Sequence, residues 1–343
     1  MERNEREDIK SNAMMSDPKV TVLMAVYNAA DYLNESIDSL LRQTMVEPFQ
    51  IVCVDDGSTD TSLSILHDYE RKDRRIEVIH LDKNSGQAHA RNVGLKQARG
   101  QYICMLDADD WFSDDALQKA VEVMESRDDM DSVLFEVSNE WPSHAEIYAL
   151  PPFVTLTGDE AFRMSLTWKI HGLYMVRASI HQLYPYDETC LLYSDDNTTR
   201  VHYLSSRVVG RCTGIYHYRQ HQSSATHSLS VRRFDYLRAN ESMKRQLVEA
   251  HVTEDVIKIY ENHRWLNLID VYMFYFVHGH QLKRSERLYG RGELHRVWKN
   301  IDRSLLSKNA IHKFGYMPMP VWWLFRVQEW VYFSLRGLLG RNN

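Results

Sequence analysis

The sequence predicts an α/β fold: a mostly parallel sheet flanked by helices, followed by a helical C-terminal region. Three observations predict it. Short apolar runs rich in β-branched residues alternate with helical patterns at regular spacing from Val20 to Leu106, which implies parallel pairing through right-handed crossovers. The runs are nearly continuous in apolar residues, as in strands covered on both faces. After Thr226 the character changes to long helical periods. The 343 residues are 44% apolar and 26% charged with a net charge of −6, the profile of a soluble globular protein without a basic surface for nucleic acid.

The elements follow in order. Residues Met1 to Lys19 are polar and lack the apolar core of a secretion signal. Ser11-Asn12-Ala13 before Met14 reads as the scar of a cleaved tag, so 1–19 is expected to be a tag or disordered leader. Val20–Val26 is the first strand and Tyr27-Asn28-Ala29-Ala30 breaks it. From Asp31 a helix shows Leu33, Ile37, Leu40 and Leu41 at helical spacing. Gln50–Val54 is a strand ending in the Asp55–Asp60 segment, and a helix runs from Thr61 to about Arg71. Ile76–Leu81 is a third strand, Asn84-Ser85-Gly86 a turn, and Gln87–Ala98 a helix. Gln101–Leu106 is a fourth strand, ending in Asp107, Asp109 and Asp110. A helix follows from Ser113 to about Arg127, then a strand over Val133–Val137. Ser138–Gly158, with Pro142, Pro151 and Pro152, reads as a long irregular loop. Helices are expected over Asp159–Trp168 and Ser194–Ser205, and two strands over Val208–Arg211 and Ile215–Tyr218. A boundary near Ser228 separates a domain at 20–228 from a helical extension at 229–343. Cys53, Cys104, Cys190 and Cys212 are far apart and read as reduced, which suits a cytoplasmic protein.

In such sheets ligands bind outside the carboxyl ends of the strands. Tyr27-Asn28, Asp55–Asp60 and Asp107–Asp110 all lie there and are expected to share one rim. Carboxylates as close as Asp107, Asp109 and Asp110 repel one another unless a cation sits between them, and a hard divalent ion with oxygen ligands is the usual resolution. Helix capping explains one Asp of this segment, not three. No Gly-rich phosphate cradle follows the first strand, so phosphates on this rim need a metal, which the Asp107–Asp109 pair is placed to hold. Asp55 and Asp56 suit ligand groups that donate hydrogen bonds; ordinary turn chemistry accounts for an Asp-Gly-Ser sequence equally well.

Taken together, VTVLMAVYNAADYL, VCVDDGSTDTS, NSGQAHARNVGL, YICMLDADDW, the later SDD and YHYRQHQSSAT resemble the family 2 glycosyltransferases of the GT-A fold, over about Val20 to Thr226. One departure is Ala25, where the family usually has Pro. The resemblance implies an inverting transfer from a nucleotide-diphosphate sugar, most readily a UDP-sugar, to a glycan or lipid-linked acceptor in surface polysaccharide synthesis. It implies that Val26, Tyr27 and Asn28 line the nucleotide pocket, that Asp56, next to Asp55, takes the base, and that Arg91 sits near the donor. It further implies that Asp107 contacts the ribose, that Asp109 binds Mg²⁺ or Mn²⁺, and that Asp196 is the catalytic base. Asp195 stands where the family has Glu. Arg219, His221 and Ser224 match a late segment that contacts phosphates or acceptor.

Two other readings are weighed. A sugar-nucleotide pyrophosphorylase needs a Gly- and Arg-rich loop after the first strand, and Tyr27–Asp31 has neither residue type. A catalytically silent nucleotide-sugar-binding protein does not need Asp107, Asp109 and Asp196 together. The tail Val321–Leu339 is almost entirely apolar or aromatic apart from Arg326, Glu329 and Arg336, which fall on one stripe. Those charges argue against a spanning helix. The tail either lies in a membrane interface through its tryptophans, at the inner face of the membrane, or packs on protein.

Overall fold

The computed structural model describes residues 17–189, 193–220 and 230–341. The chain divides into two compact units. The first comprises Met1–Tyr186 and Thr198–His221, the second Asp187–Asn197 and Gln222–Asn343.

The first unit is built on one sheet. Its leading half follows from composition: β1 (Val20–Val26) and β2 (Phe49–Asp55) are almost entirely buried, as uninterrupted apolar strands must be. Helices α1 (Ala30–Leu41), α2 (Ser62–Lys72) and α3 (Gln87–Leu95) make the crossovers between β1, β2, β3 (Ile76–His80) and β4 (Tyr102–Met105). In α1 the buried Leu33, Ile37 and Leu40 recur at helical spacing and seat the helix on the sheet. β1 pairs parallel with both β2 and β4, and β2 with β3. The registers Val26↔Asp55 and Leu23↔Met105 bring the carboxyl ends of three strands to one edge.

Beyond β4 the sheet is mixed, so the expected parallel character describes its first half. The remaining strands are β5 (Trp111–Phe112), β6 (Met130–Trp141), β7 (His144–Ile147), β8 (Thr155–Thr157), β9 (Tyr174–Arg177) and β10 (Val208–Arg219). The order is β3-β2-β1-β4-β9-β6-β10-β5, with β9 antiparallel to both neighbours and β10 parallel to β6. Helices α4 (Ala116–Glu125), α5 (Gly158–Ser165), α6 (Ala178–Leu183) and α7 (Ser194–Ser205) complete the run.

Three expectations need correction. Ser138–Gly158 is not irregular: β6 continues to Trp141, turns at Pro142-Ser143 and returns as β7, and β8 then pairs with β10. The prolines mark the turn and the connection, not an absence of strands. The two strands read over Val208–Tyr218 are one, with an irregularity between Arg211 and Ile215 that breaks the apolar alternation. β9 was not expected, since four residues carry no period.

The second unit is helical: α8 (Asp235–Glu249), α9 (Glu254–His278), α10 (Arg284–Asn300), α11 (Lys308–His312) and α12 (Trp322–Leu338). Its core gathers Phe234, Trp265, Leu268, Trp298, Phe325 and Phe333. The aromatic tail becomes α12, and Phe325, Gln328, Glu329 and Phe333 form its buried face. Among the described residues no helix is long and apolar enough to cross a membrane.

Glu329 is fully buried; one carboxylate oxygen accepts from the Gln328 amide at 3.0 Å and the other has no partner. Burial pushes this carboxyl up to about 8. The folded chain therefore holds a proton that the unfolded chain releases, and stability falls as pH rises from the ordinary glutamate value to about 8. Glu329→Gln mimics the protonated side chain. The variant should match the parent near pH 4 and exceed it on the order of 2–4 kcal/mol above pH 8. Thermal melts of both proteins across that range check this; a pH-independent difference would contradict it.

Candidate active site

The rim is assembled first from backbone. At the end of β1, Asn28 takes a left-handed conformation, φ 50°, which Asn tolerates better than most residues. Its N–H donates to Ser58 Oγ at 3.0 Å and its side-chain oxygen accepts from the Thr59 N–H at 2.8 Å. The Asp56 N–H donates to the Val26 carbonyl at 2.8 Å. The ends of β1 and β2 are thus tied together, with Tyr27 standing 47% exposed between them.

Asp55 is wholly buried. Its Oδ2 accepts from the Ser58 N–H at 3.2 Å and meets His80 Nδ1 at 2.9 Å. It braces the turn from beneath, which is the turn-chemistry alternative. Asp56 accepts from the Ser85 N–H at 2.7 Å through one oxygen and from the Gly86 N–H at 2.8 Å through the other. It clamps the loop before α3 against the end of β2. Gly57 makes this close approach possible: its φ is +70°, and a Cβ there would lie 2.7 Å from the Lys83 carbonyl carbon.

The third segment is the most constrained. Leu106 N–H continues the pairing to Leu23, and Asp110 N–H closes a turn onto the Asp107 carbonyl at 3.1 Å. Asp107 Oδ1 accepts from Arg91 Nη2 at 2.5 Å and Gln87 Nε2 at 3.1 Å. Arg91 is buried, with its guanidinium 5.2 Å from the Tyr186 ring centroid. Asp109 is half-buried, and its carbonyl accepts from Arg219 Nε at 2.7 Å. The Arg219 guanidinium lies 4.5 Å from the Trp111 ring centroid and 5.2 Å from that of Tyr32, and also pairs with Glu35. This holds its positive charge at the rim.

Asp110 has a different role from its two neighbours. It is buried; Oδ1 accepts from the Arg219 N–H at 2.7 Å and Oδ2 from the Tyr216 hydroxyl at 2.8 Å. The Tyr216 oxygen in turn accepts from the Asp107 N–H at 3.1 Å. Burial, then the charges of Asp107 and Asp109, push the Asp110 carboxyl up to about 9. Sequence reasoning singled out Arg219 but missed Tyr216, which locks the loop from β10. Tyr216→Phe strips Asp110 of a donor and Asp107 of an acceptor. It should cost about 1–3 kcal/mol in stability and weaken ligand binding at the loop; denaturant melts and calorimetric titration check both.

Asp195 and Asp196 lie in the first turn of α7, both half-buried, where the helix terminus favours negative charge. The segment Asp187–Asn197 that carries them groups with the second unit. There the buried Asn197 amide donates to Asp187 Oδ2 at 3.1 Å and to the Ala239 carbonyl at 2.8 Å, fixing the start of the helix. His221 and Ser224 lie outside the described residues.

Among the described residues no three His, Cys, Asp or Glu side chains form an all-protein metal cage. The donors on the rim are carboxylate oxygens, and the Asp110 carboxyl is pushed up first by burial and then by the charges of Asp107 and Asp109. Such a set fits Mg²⁺ or Mn²⁺ in the manner those ions prefer: one or two carboxylates, the rest of the shell from substrate phosphates.

The family model for glycosyl transferase family 2 matches residues 21–170, which contain Tyr27-Asn28 and both acidic segments. Residues 21–170 belong to glycosyltransferase family 2. The chain is 43% identical over 110 residues to the putative teichuronic acid biosynthesis glycosyltransferase TuaG of Bacillus subtilis, covering 32% of this chain and 43% of TuaG. It is 30% identical over 240 residues to the putative glycosyltransferase EpsH of the same organism, covering 64% of this chain and 66% of EpsH. The GT-A fold is shared with S. aureus TarS residues 1–349, solved with UDP-GlcNAc: TM-score 0.70, 19% identity, 94% of this chain and 92% of that one. The mannosyltransferase PcManGT of Pyrobaculum calidifontis, solved with GDP-Man and Mn²⁺, superposes at TM-score 0.51 with 16% identity, over 94% of this chain and 88% of that one.

Proposed function

We propose that this glycosyltransferase moves a sugar from a nucleoside-diphosphate donor, a UDP-sugar, to a hydroxyl of a glycan or lipid-linked acceptor in surface polysaccharide assembly, with inversion at the anomeric carbon. The observation that carries the reading is the rim: the ends of β1, β2 and β4, the last two acidic, at one edge within the family 2 domain. Relatives named for teichuronic acid synthesis and for poly(ribitol-phosphate) glucosylation support the polysaccharide context. Structural neighbours solved with UDP, UDP-GlcNAc and GDP-Man support a nucleotide-sugar donor.

In this reading Val26, Tyr27 and Asn28 line the base pocket, Asp56 presents its remaining lone pairs to the base, and Asp55 holds the turn. Asp107, oriented by Arg91 and Gln87, takes the ribose hydroxyls. Asp109 and Asp107 hold Mg²⁺ or Mn²⁺, which supplies positive charge against the diphosphate. Arg219, His221 and Ser224 serve the phosphate and acceptor side. Asp196 removes the proton of the acceptor hydroxyl as its oxygen bonds to the anomeric carbon. The bond from that carbon to the diphosphate oxygen breaks, and the nucleoside diphosphate leaves with the electron pair. One base and direct displacement give inversion. Residues 20–228 form the catalytic domain and 229–343 a helical extension, and the protein works against the inner face of the membrane.

A nucleotide-sugar panel with Mn²⁺, read by thermal shift and by slow hydrolysis, tests this. A UDP-sugar should stabilise the fold by mass action and be turned over. Stabilisation without turnover would favour a silent binding protein. Pyrophosphate-dependent release of UTP would favour a pyrophosphorylase.

A further inference from the structure

While one face of α12 is buried, the opposite face is open. Trp323 is 63% exposed, Val327 52% and Trp330 62%, at spacings that place all three on one stripe. A groove of about 510 Å³ runs between this stripe, the end of α9 and α10, with Tyr275 and Phe276 in its wall. Its lining contains Arg287, Arg326 and His280 and no carboxylate. Both arginines are exposed and, among the described residues, neither has a carboxylate partner. Arg326 faces the Tyr272 hydroxyl. The outer side of α10 continues the same chemistry with exposed Arg284, Leu288 and Arg291.

A protein of net charge −6 has placed here a basic, tryptophan-rich face with its apolar side chains in water. Isolated apolar residues on a surface are ordinary; a contiguous aromatic stripe beside unpaired guanidinium groups is not. Tryptophan prefers the level of lipid headgroups, and arginine is drawn to anionic ones. The buried face of α12 holds the helix to its unit, so it is suited to lie along a bilayer surface, not to enter it. We propose that this face docks on an anionic phospholipid membrane, with Arg287 and Arg326 taking headgroup phosphates in the groove and Trp323, Val327 and Trp330 resting at the acyl boundary. It deepens the membrane side of the function proposed above and needs neither donor nor metal, so the two fail separately.

Flotation of the full-length chain with phosphatidylcholine vesicles, with and without phosphatidylglycerol, is the test. Binding should require the acidic lipid and weaken as salt rises. Arg287→Ala and Arg326→Ala should each weaken binding about fivefold, and the corresponding Lys variants should keep most of it. Trp323→Ala with Trp330→Ala should weaken it at least about tenfold. The substituted side chains are exposed, so thermal melts and donor-induced shifts should not change. Three results would overturn the proposal: vesicle binding unchanged in the double tryptophan variant; no vesicle binding but a dimer, seen by light scattering, that this variant dissociates; or no vesicle binding but capture of soluble polyphosphate that depends on the two arginines.

Discussion

Asp196→Asn should leave donor binding intact and remove sugar transfer, by about 10²–10⁴-fold if a positioned base supplies its usual share of the rate. The substitution keeps size and shape and removes the charge and the capacity to take a proton. Helix α7 is anchored by Asn197 through Asp187 and Ala239, so the backbone at position 196 should not move. Donor-induced thermal stabilisation should match the parent while product formation, followed by chromatography, disappears. Asp195→Asn is the paired control, because Asp195 shares the same first turn and replaces the family's Glu. If Asp195→Asn abolishes transfer and Asp196→Asn does not, the base is the other carboxylate.

Asp109→Ala should lower both metal-dependent donor affinity and turnover, the latter by about 10²–10³-fold, the range seen when one preorganised electrostatic contact to a leaving group is lost. Asp109 is half-buried at the rim, and its backbone carbonyl, which the substitution keeps, accepts from Arg219. Removing its carboxylate therefore spares the brace that Arg219 and Tyr216 provide. Calorimetric titration of Mn²⁺ in the presence of UDP should show the loss directly. Retained metal-dependent binding would assign the ion to other ligands.

The first half of the sheet was legible because local and global signals agree there. Val20–Val26 and Gln50–Val54 are too apolar to be anything but buried strands, and they are followed by Tyr27-Asn28 and by Asp55-Asp56-Gly57 where a ligand-facing rim belongs. The acidic triplet was also visible, but not its division of labour. Asp110 is set apart from Asp107 and Asp109 by a tyrosine 106 positions away, and no local pattern encodes such a pairing. The double role of Asp55 and Asp56 was hidden for a similar reason: the groups that occupy them, His80, Ser85 and Gly86, belong to the next crossover. β9 was invisible because it is short and antiparallel. β10 was split because Cys212-Thr213-Gly214 interrupts its alternation. The tail was read as two alternatives, and packing on protein describes one face of α12: Phe325 and Phe333 lie inward, while Trp323 and Trp330 lie outward.

The central claim is that the acidic strand ends form a single seat for a cation and, through it, for a nucleotide-sugar diphosphate. A crystal structure with UDP and Mn²⁺, read in the manganese anomalous map, tests it most directly. The account predicts one strong peak between the Asp109 carboxylate and the diphosphate oxygens, with the uracil between Asn28 and Asp56 and the ribose on Asp107. A nucleotide bound away from that edge, or manganese bound to neither Asp107 nor Asp109, would contradict it.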